Sequence, residues 1–167
     1  ISSQYTTNTI DFLDLEKAIK FDIWDTAGQE KYRALAKIFY KDAKIIIFVY
    51  DITSLKTFEG IKKYWFEQVK TYSDSKSILA LVANKNDLYK NQQVPTKDAQ
   101  AYADSIGAIF QETSAKTDSG INQLFENLGR KYLNPAFDYK AEDKKAQENY
   151  EMKKQKKEED DDDEDED

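Results

Sequence analysis

Two early stretches of the chain alternate apolar and polar positions, and unbroken apolar runs follow them. Thr6 to Phe12 alternates weakly and is rich in Thr and Ile, which predicts an edge strand. Asp14–Lys17 is a polar turn, and Ile19 to Trp24 alternates strictly, so the two strands read as a hairpin. Between Glu30 and Tyr40 the period changes, and Tyr32, Leu35, Ile38 and Phe39 fall on one helical face. Ile45 to Tyr50 is a continuous apolar run ended by Asp51, the pattern of a strand buried on both faces in a parallel sheet. A second helix carries Phe58, Ile61, Trp65 and Val69 at helical spacing, with Ser54 as its cap. Ser77–Ala83 is another buried strand, and Pro95 opens a helix with Ala99, Tyr102, Ala103 and Ile106 inward. Ala108–Gln111 is a short strand. The last core helix runs from about Gly120 to Leu133, with Ile121, Leu124, Phe125, Leu128 and Tyr132 inward, and Pro135 stops it.

Strands alternating with helices predict an α/β domain with a mostly parallel sheet over residues 1–134. Residues 135–167 differ: apolar side chains nearly vanish after Asp138, and Glu158–Asp167 is an unbroken run of ten acids. Such a segment buries too little to offset its ordering entropy, so a disordered tail, or at most a frayed helix, is expected. Its last part, residues 151–167, carries a net charge of −7, the whole of the chain's, because residues 1–150 hold 21 charges of each sign. The body therefore has no basic excess of the kind that binds nucleic acid. There are no cysteines and no histidines in the 167 residues. Disulfides, thiolate metal sites, cysteine nucleophiles and a prenyl or palmitoyl anchor are excluded for this chain, and so is the commonest general base. Catalysis would have to use oxygen ligands, lysines, backbone amides or a positioned water. No apolar run approaches the roughly 20 residues that span a bilayer, and a soluble, cytoplasmic protein is expected.

Ligands of open α/β sheets bind outside the carboxyl ends of the strands. Three polar clusters sit at such ends: Asp25-Thr26-Ala27-Gly28-Gln29-Glu30, Asn84-Lys85-Asn86-Asp87 and Thr113-Ser114-Ala115-Lys116. Singly, each has a plain alternative as a strand-end acid or a polar turn. In this order, with Gly28 and Leu81 53 positions apart and Asp87 and Ser114 27 apart, they resemble the Rab branch of the small GTPases. Lys31 to Leu35, Phe39 to Ala43 and Phe48 to Thr53 are similar to that family as well.

The resemblance implies a P-loop-NTPase-like, three-layer fold and a GTP/GDP-dependent switch in vesicle trafficking, with GTP hydrolase activity. By the same resemblance Asp87 reads the guanine edge, Lys85 lies along the ring and Asn84 ties the loops together. Ser114, Ala115 and Lys116 close over the base. Asp25 holds Mg²⁺ through a water, the Gly28 amide meets the γ-phosphate, and Gln29 orients the attacking water. Effector and regulator proteins are expected at residues 26–40 together with Trp24, Phe39 and Tyr40, which also serve packing.

The sequence departs from that pattern in three places. No G-x-x-x-x-G-K-S/T phosphate loop occurs, and Ile1-Ser2 aligns with an Ile-Gly pair of the first switch. The chain, which begins with Ile1, is therefore expected to be truncated at its N-terminus, and to bind nucleotide poorly and be inactive by itself. The family's first strand, mid-sheet between Ile19–Trp24 and Ile45–Tyr50, is missing too. Those two strands then either slide together or face a gap. Lastly, an acidic ending without cysteine replaces a lipidated one. No direct membrane anchor is expected, endomembrane association would run through partners, and a basic protein is a candidate partner for the tail. The alternative function is a non-hydrolysing pseudo-GTPase that serves as a protein-binding module.

Overall fold

A computed structural model gives the structure of the protein and describes residues 4–26 and 33–164. β1 (Gln4–Phe12) and β2 (Lys17–Asp25) pair antiparallel without a bulge, from Gln4 opposite Asp25 to Phe12 opposite Lys17. The strict alternation of β2 has its expected effect. Phe21 is buried and Ile19 and Ile23 are half-buried on one face, while Lys20, Asp22 and Trp24 are exposed on the other. A 3₁₀ turn at Leu13–Leu15 and a left-handed Glu16 reverse the chain between them.

After α1 (Arg33–Tyr40) come β3 (Ile45–Asp51), β4 (Ile78–Asn84) and β5 (Ile109–Glu112), which form a parallel sheet in the order β3-β4-β5. One face is covered by α2 (Leu55–Gly60), a π-helical turn (Ile61–Trp65), α3 (Phe66–Tyr72) and α4 (Thr96–Ser105). Phe48, Tyr50 and Leu81 meet Phe58, Ile61, Val69, Ala99 and Ala103 there in one apolar cluster. α5 (Ile121–Leu133) covers β4 and β5 from the other side, which completes a three-layer α/β sandwich.

The coverage is uneven. Ala80 to Ala83 in β4 are buried on both faces, but Val49 in β3 is 56% exposed. β3 is thus not the doubly buried strand its apolar run predicts, because α5 lies over β4 and β5 instead. Tyr132 and Ile38, expected inward, are exposed. Ser54 stands at the N-cap of α2 without using its hydroxyl. Thr57 Oγ1 instead donates to the Ser54 carbonyl (2.8 Å).

The hairpin and the parallel sheet are separate sheets, so β2 and β3 have not slid together. The hairpin is fastened to α5. A Cβ on Gly129 would collide with the ring of Phe12, so the absent side chain is what lets the helix approach. Phe21 meets Phe125 edge to face (5.4 Å, 82°). Arg130 grips both carboxylate oxygens of Asp14 (2.7 and 3.0 Å) and lies over the Phe12 ring.

The described residues from 134 to 164 form a second compact unit. Where disorder or a frayed helix was expected, α6 (Tyr139–Glu164) is helical. Its side chains from Lys140 to Lys154 are all exposed, and Lys145–Glu142 (3.2 Å) and Lys144–Glu148 (3.9 Å) pair at helical spacing. No described helix is long and apolar enough to cross a membrane.

Candidate functional site

The loops that leave β3, β4 and β5 start level with one another. Register sets Asp51 beside Asn84 and Ala83 beside Glu112. The ladder runs one step past the strands: the Ile52 amide donates to the Asn84 carbonyl (3.1 Å), and the Thr113 amide to the Ala83 carbonyl (2.8 Å). Beyond it the two polar loops bind each other. The Asn86 amide donates to the Thr113 carbonyl (3.0 Å), and Thr113 Oγ1 donates to Asn84 Oδ1 (3.1 Å). Thr113 is buried, so this hydroxyl–amide bond stands away from competing water.

Asp87 and Ser114 are joined at the same level. Ser114 Oγ donates to Asp87 Oδ1 (2.6 Å), a charge-assisted length, and accepts from the Thr117 amide (3.2 Å). Ser114 is fully buried. Reciprocal backbone bonds with Ser119 (3.0 and 3.1 Å) close the loop on itself, and Ser119 Oγ donates to Asn86 Oδ1 (3.2 Å). Gly120 ends it at φ +73°, where an added Cβ would strike the Glu112 carbonyl. The result is a half-exposed Asp87 whose Oδ2 accepts no hydrogen bond among the described residues, beside the exposed Ala115 and Lys116.

Lys85 adopts a left-handed backbone (φ 64°, ψ 36°), and its Nζ reaches Asp51 Oδ2 (2.7 Å). Asp51 Oδ1 accepts from the Thr53 amide (2.8 Å) and hydroxyl (2.7 Å). Burial pushes the Asp51 carboxyl up, but the hydrogen bonds from Lys85 and Thr53 outweigh it and hold the group below the usual carboxylate range. The same bond raises the Lys85 ammonium.

The structure thus brings Asn84, Lys85, Asp87 and Ser114 together, with Ala115 and Lys116 on the adjoining turn. Asp25 is elsewhere. It is exposed at the end of β2, in the hairpin, and nothing described joins it to the cluster. Gly28 and Gln29 lie outside the described residues, as does the 27–32 part of the expected partner surface. A single carboxylate at Asp25 is one ligand of a Mg²⁺ site, and the described residues hold no group of three acids disposed around a cation. They fit the base end of a nucleotide and do not by themselves make the metal end.

Two residues that the sequence reading named without a role prove to be partners of the site. Asp51 was legible only as a strand-end acid, and Thr113 only as the residue before Ser114. Among the aromatics Trp24 is 51% exposed and stacks between Tyr5 (4.7 Å) and Phe39 (5.4 Å). Tyr40, expected at the partner-facing surface as well as in packing, lies in the core, where burial pushes its phenol up to about 12. Tyr5 stands at the exposed surface beside Trp24.

Residues 1–134 match the sequence profile of the Ras family. The chain is 41% identical over 118 residues to Ras-related protein Rab5A of Oryza sativa subsp. japonica, which covers 71% of this chain and 58% of that protein. It is 41% identical over 133 residues to Ras-related protein RabJ of Dictyostelium discoideum (80% of this chain, 51% of that one). To human Ras-related protein Rab-22A it is 41% identical over 131 residues (78% and 66%). The chain therefore spans between half and two thirds of the length of these relatives. On its profile match, these identities and the fold, the chain belongs to the Ras family, in its Rab branch.

Proposed function

We propose that this chain is the base-reading and effector-facing part of a GTP/GDP-dependent switch of the Rab type, acting in vesicle trafficking. The observation that carries the reading is the Ser114–Asp87 bond, which fixes a carboxylate and leaves one oxygen uncommitted. Guanine presents two adjacent donors, N1–H and the exocyclic amine, and a carboxylate has the lone pairs to accept both even while Ser114 donates to Oδ1. Adenine offers an acceptor at N1 there, so a carboxylate covered by that base would be left unpaired, at a cost of about 1–3 kcal/mol.

Asn84 ties the two loops through Thr113, the Ala115 amide donates to the guanine carbonyl oxygen, and the stems of Lys85 and Lys116 flank the ring. Gln29 orients the attacking water and the Gly28 amide meets the γ-phosphate. Mg²⁺, when bound, neutralises phosphate charge, with Asp25 as its ligand from this chain through a water. Effectors and regulators meet residues 26–40 and Trp24, and the acidic run Glu158–Asp167 attracts basic proteins and keeps off anionic membranes.

Hydrolysis of GTP by the protein in the form its transcript encodes tests the reading. Slow phosphate release is expected, reduced at least about tenfold by Gln29→Leu. An unchanged rate removes Gln29 from its role. Nucleotide binding without turnover makes the protein a non-hydrolysing binding module instead.

A further inference from the structure

We infer that Asp51 is a positioning residue for Lys85, fixing at the end of β3 the lysine whose stem walls the guanine site; this rests on the base-binding reading above. Both oxygens of Asp51 are engaged: Oδ2 by Lys85 Nζ (2.7 Å), Oδ1 by the amide (2.8 Å) and hydroxyl (2.7 Å) of Thr53. Its own amide donates to Thr57 Oγ1 (3.0 Å). A carboxylate held on three sides is a fixed post rather than a mobile surface charge.

The backbone is bent toward that post. Asp51 stands in register with Asn84, the residue before Lys85, and the left-handed turn at Lys85 returns the side chain to the end of β3. Left-handed backbone is disfavoured for a residue with a Cβ and persists where the surroundings impose it. The lysine is nevertheless 53% exposed, so its stem remains available to a ligand while its ammonium is tied down. A free lysine loses rotamer freedom when a ligand packs on it, whereas a tethered one has already lost it. Asp51 thus acts on the ligand through Lys85 and need not touch it.

The test is a double-mutant cycle on the protein as its transcript encodes it, with fluorescently labelled GDP as probe. Asp51→Ala is expected to weaken GDP binding about fivefold or more with Lys85 present, and by less than about twofold in Lys85→Ala. Asp51→Asn keeps an acceptor for Thr53 while removing the charge, and is expected to show the same non-additivity if Asp51→Ala folds poorly. Equal losses in both backgrounds overturn the positioning role and leave the base-binding reading standing. Absence of GDP binding by the folded wild type overturns both.

Discussion

The β3-β4-β5 sheet and the β1–β2 hairpin pack on the same helix, α5, in different ways. The sheet is gripped by apolar burial: β4 is covered on both faces and Leu128 of α5 is fully buried. The hairpin has one packed face, held by Phe12 over Gly129, Phe21 on Phe125 and the Arg130–Asp14 pair. The Asn84–Asp87 and Thr113–Lys116 loops grow from the sheet and are cross-bonded to each other. Asp25 and Trp24 stand on the hairpin. The lesson is that the two groups of polar residues rest on supports of different kinds: the Asn84–Asp87 and Thr113–Lys116 loops on the shared core, and Asp25 on a hairpin held by a few contacts to α5.

The largest blow to this contrast is Leu81→Ala, which opens a cavity at a fully buried side chain. It is expected to cost about 2–5 kcal/mol of unfolding free energy in a denaturant melt. A loss under about 1 kcal/mol would contradict β4 as the shared centre. Gly129→Ala sharpens the contrast. Its Cβ must displace the Phe12 ring, for about 1–3 kcal/mol, and the damage should be local. Hydrogen exchange should speed up in β1 and β2 while β3 to β5 keep their protection. Uniform acceleration would mean that hairpin and sheet unfold as one.

The third effect depends on pH. The Arg130 guanidinium holds the Asp14 carboxyl below its ordinary value. A group with a depressed folded pKa contributes stability above its unfolded pKa and loses it as pH falls through the folded one. Unfolding free energies of wild type and Arg130→Ala should therefore differ near neutrality and converge below about pH 4. Parallel curves down to the acid limit would place the value of Arg130 in its packing on Phe12 instead. The smallest effect is expected at Tyr50→Phe. The Tyr50 hydroxyl is buried with no hydrogen-bond partner among the described residues, so its removal should be neutral or stabilising, within about 1 kcal/mol. A clear loss of stability would reveal a partner for that hydroxyl.

Much of this was legible from period and order. The alternation of Ile19 to Trp24 fixed which face of β2 packs, and the parallel sheet followed from strands alternating with helices. What escaped depends on how elements sit against one another. The exposure of Val49 follows from where α5 lies, which no property of the Ile45–Tyr50 run encodes. Nothing in the helical period singles out Gly129, yet its missing side chain makes room for Phe12. Asn127 sits among apolar positions of α5 and is buried beside Leu124 and Leu128, where periodicity gave no reason to expect a polar side chain. In the site, the residue types announced Asn84, Lys85, Asp87 and Ser114. Of their supports, Asp51 lies far from Lys85 in sequence, and Thr113 joins Asn84 across two distant loops, so both roles become visible only when three strand ends are level.

The central claim is that Asp87, held by Ser114, selects guanine. The most direct measurement is competition of GDP, ADP and xanthosine diphosphate against labelled GDP, for wild type and Asp87→Asn. The wild type should prefer GDP over ADP by about a hundredfold or more. Asp87→Asn should turn the preference to xanthosine diphosphate, because the amide offers a donor to the carbonyl that replaces the guanine amine. Equal binding of GDP and ADP, or a preference for GDP that survives Asp87→Asn, would contradict the account.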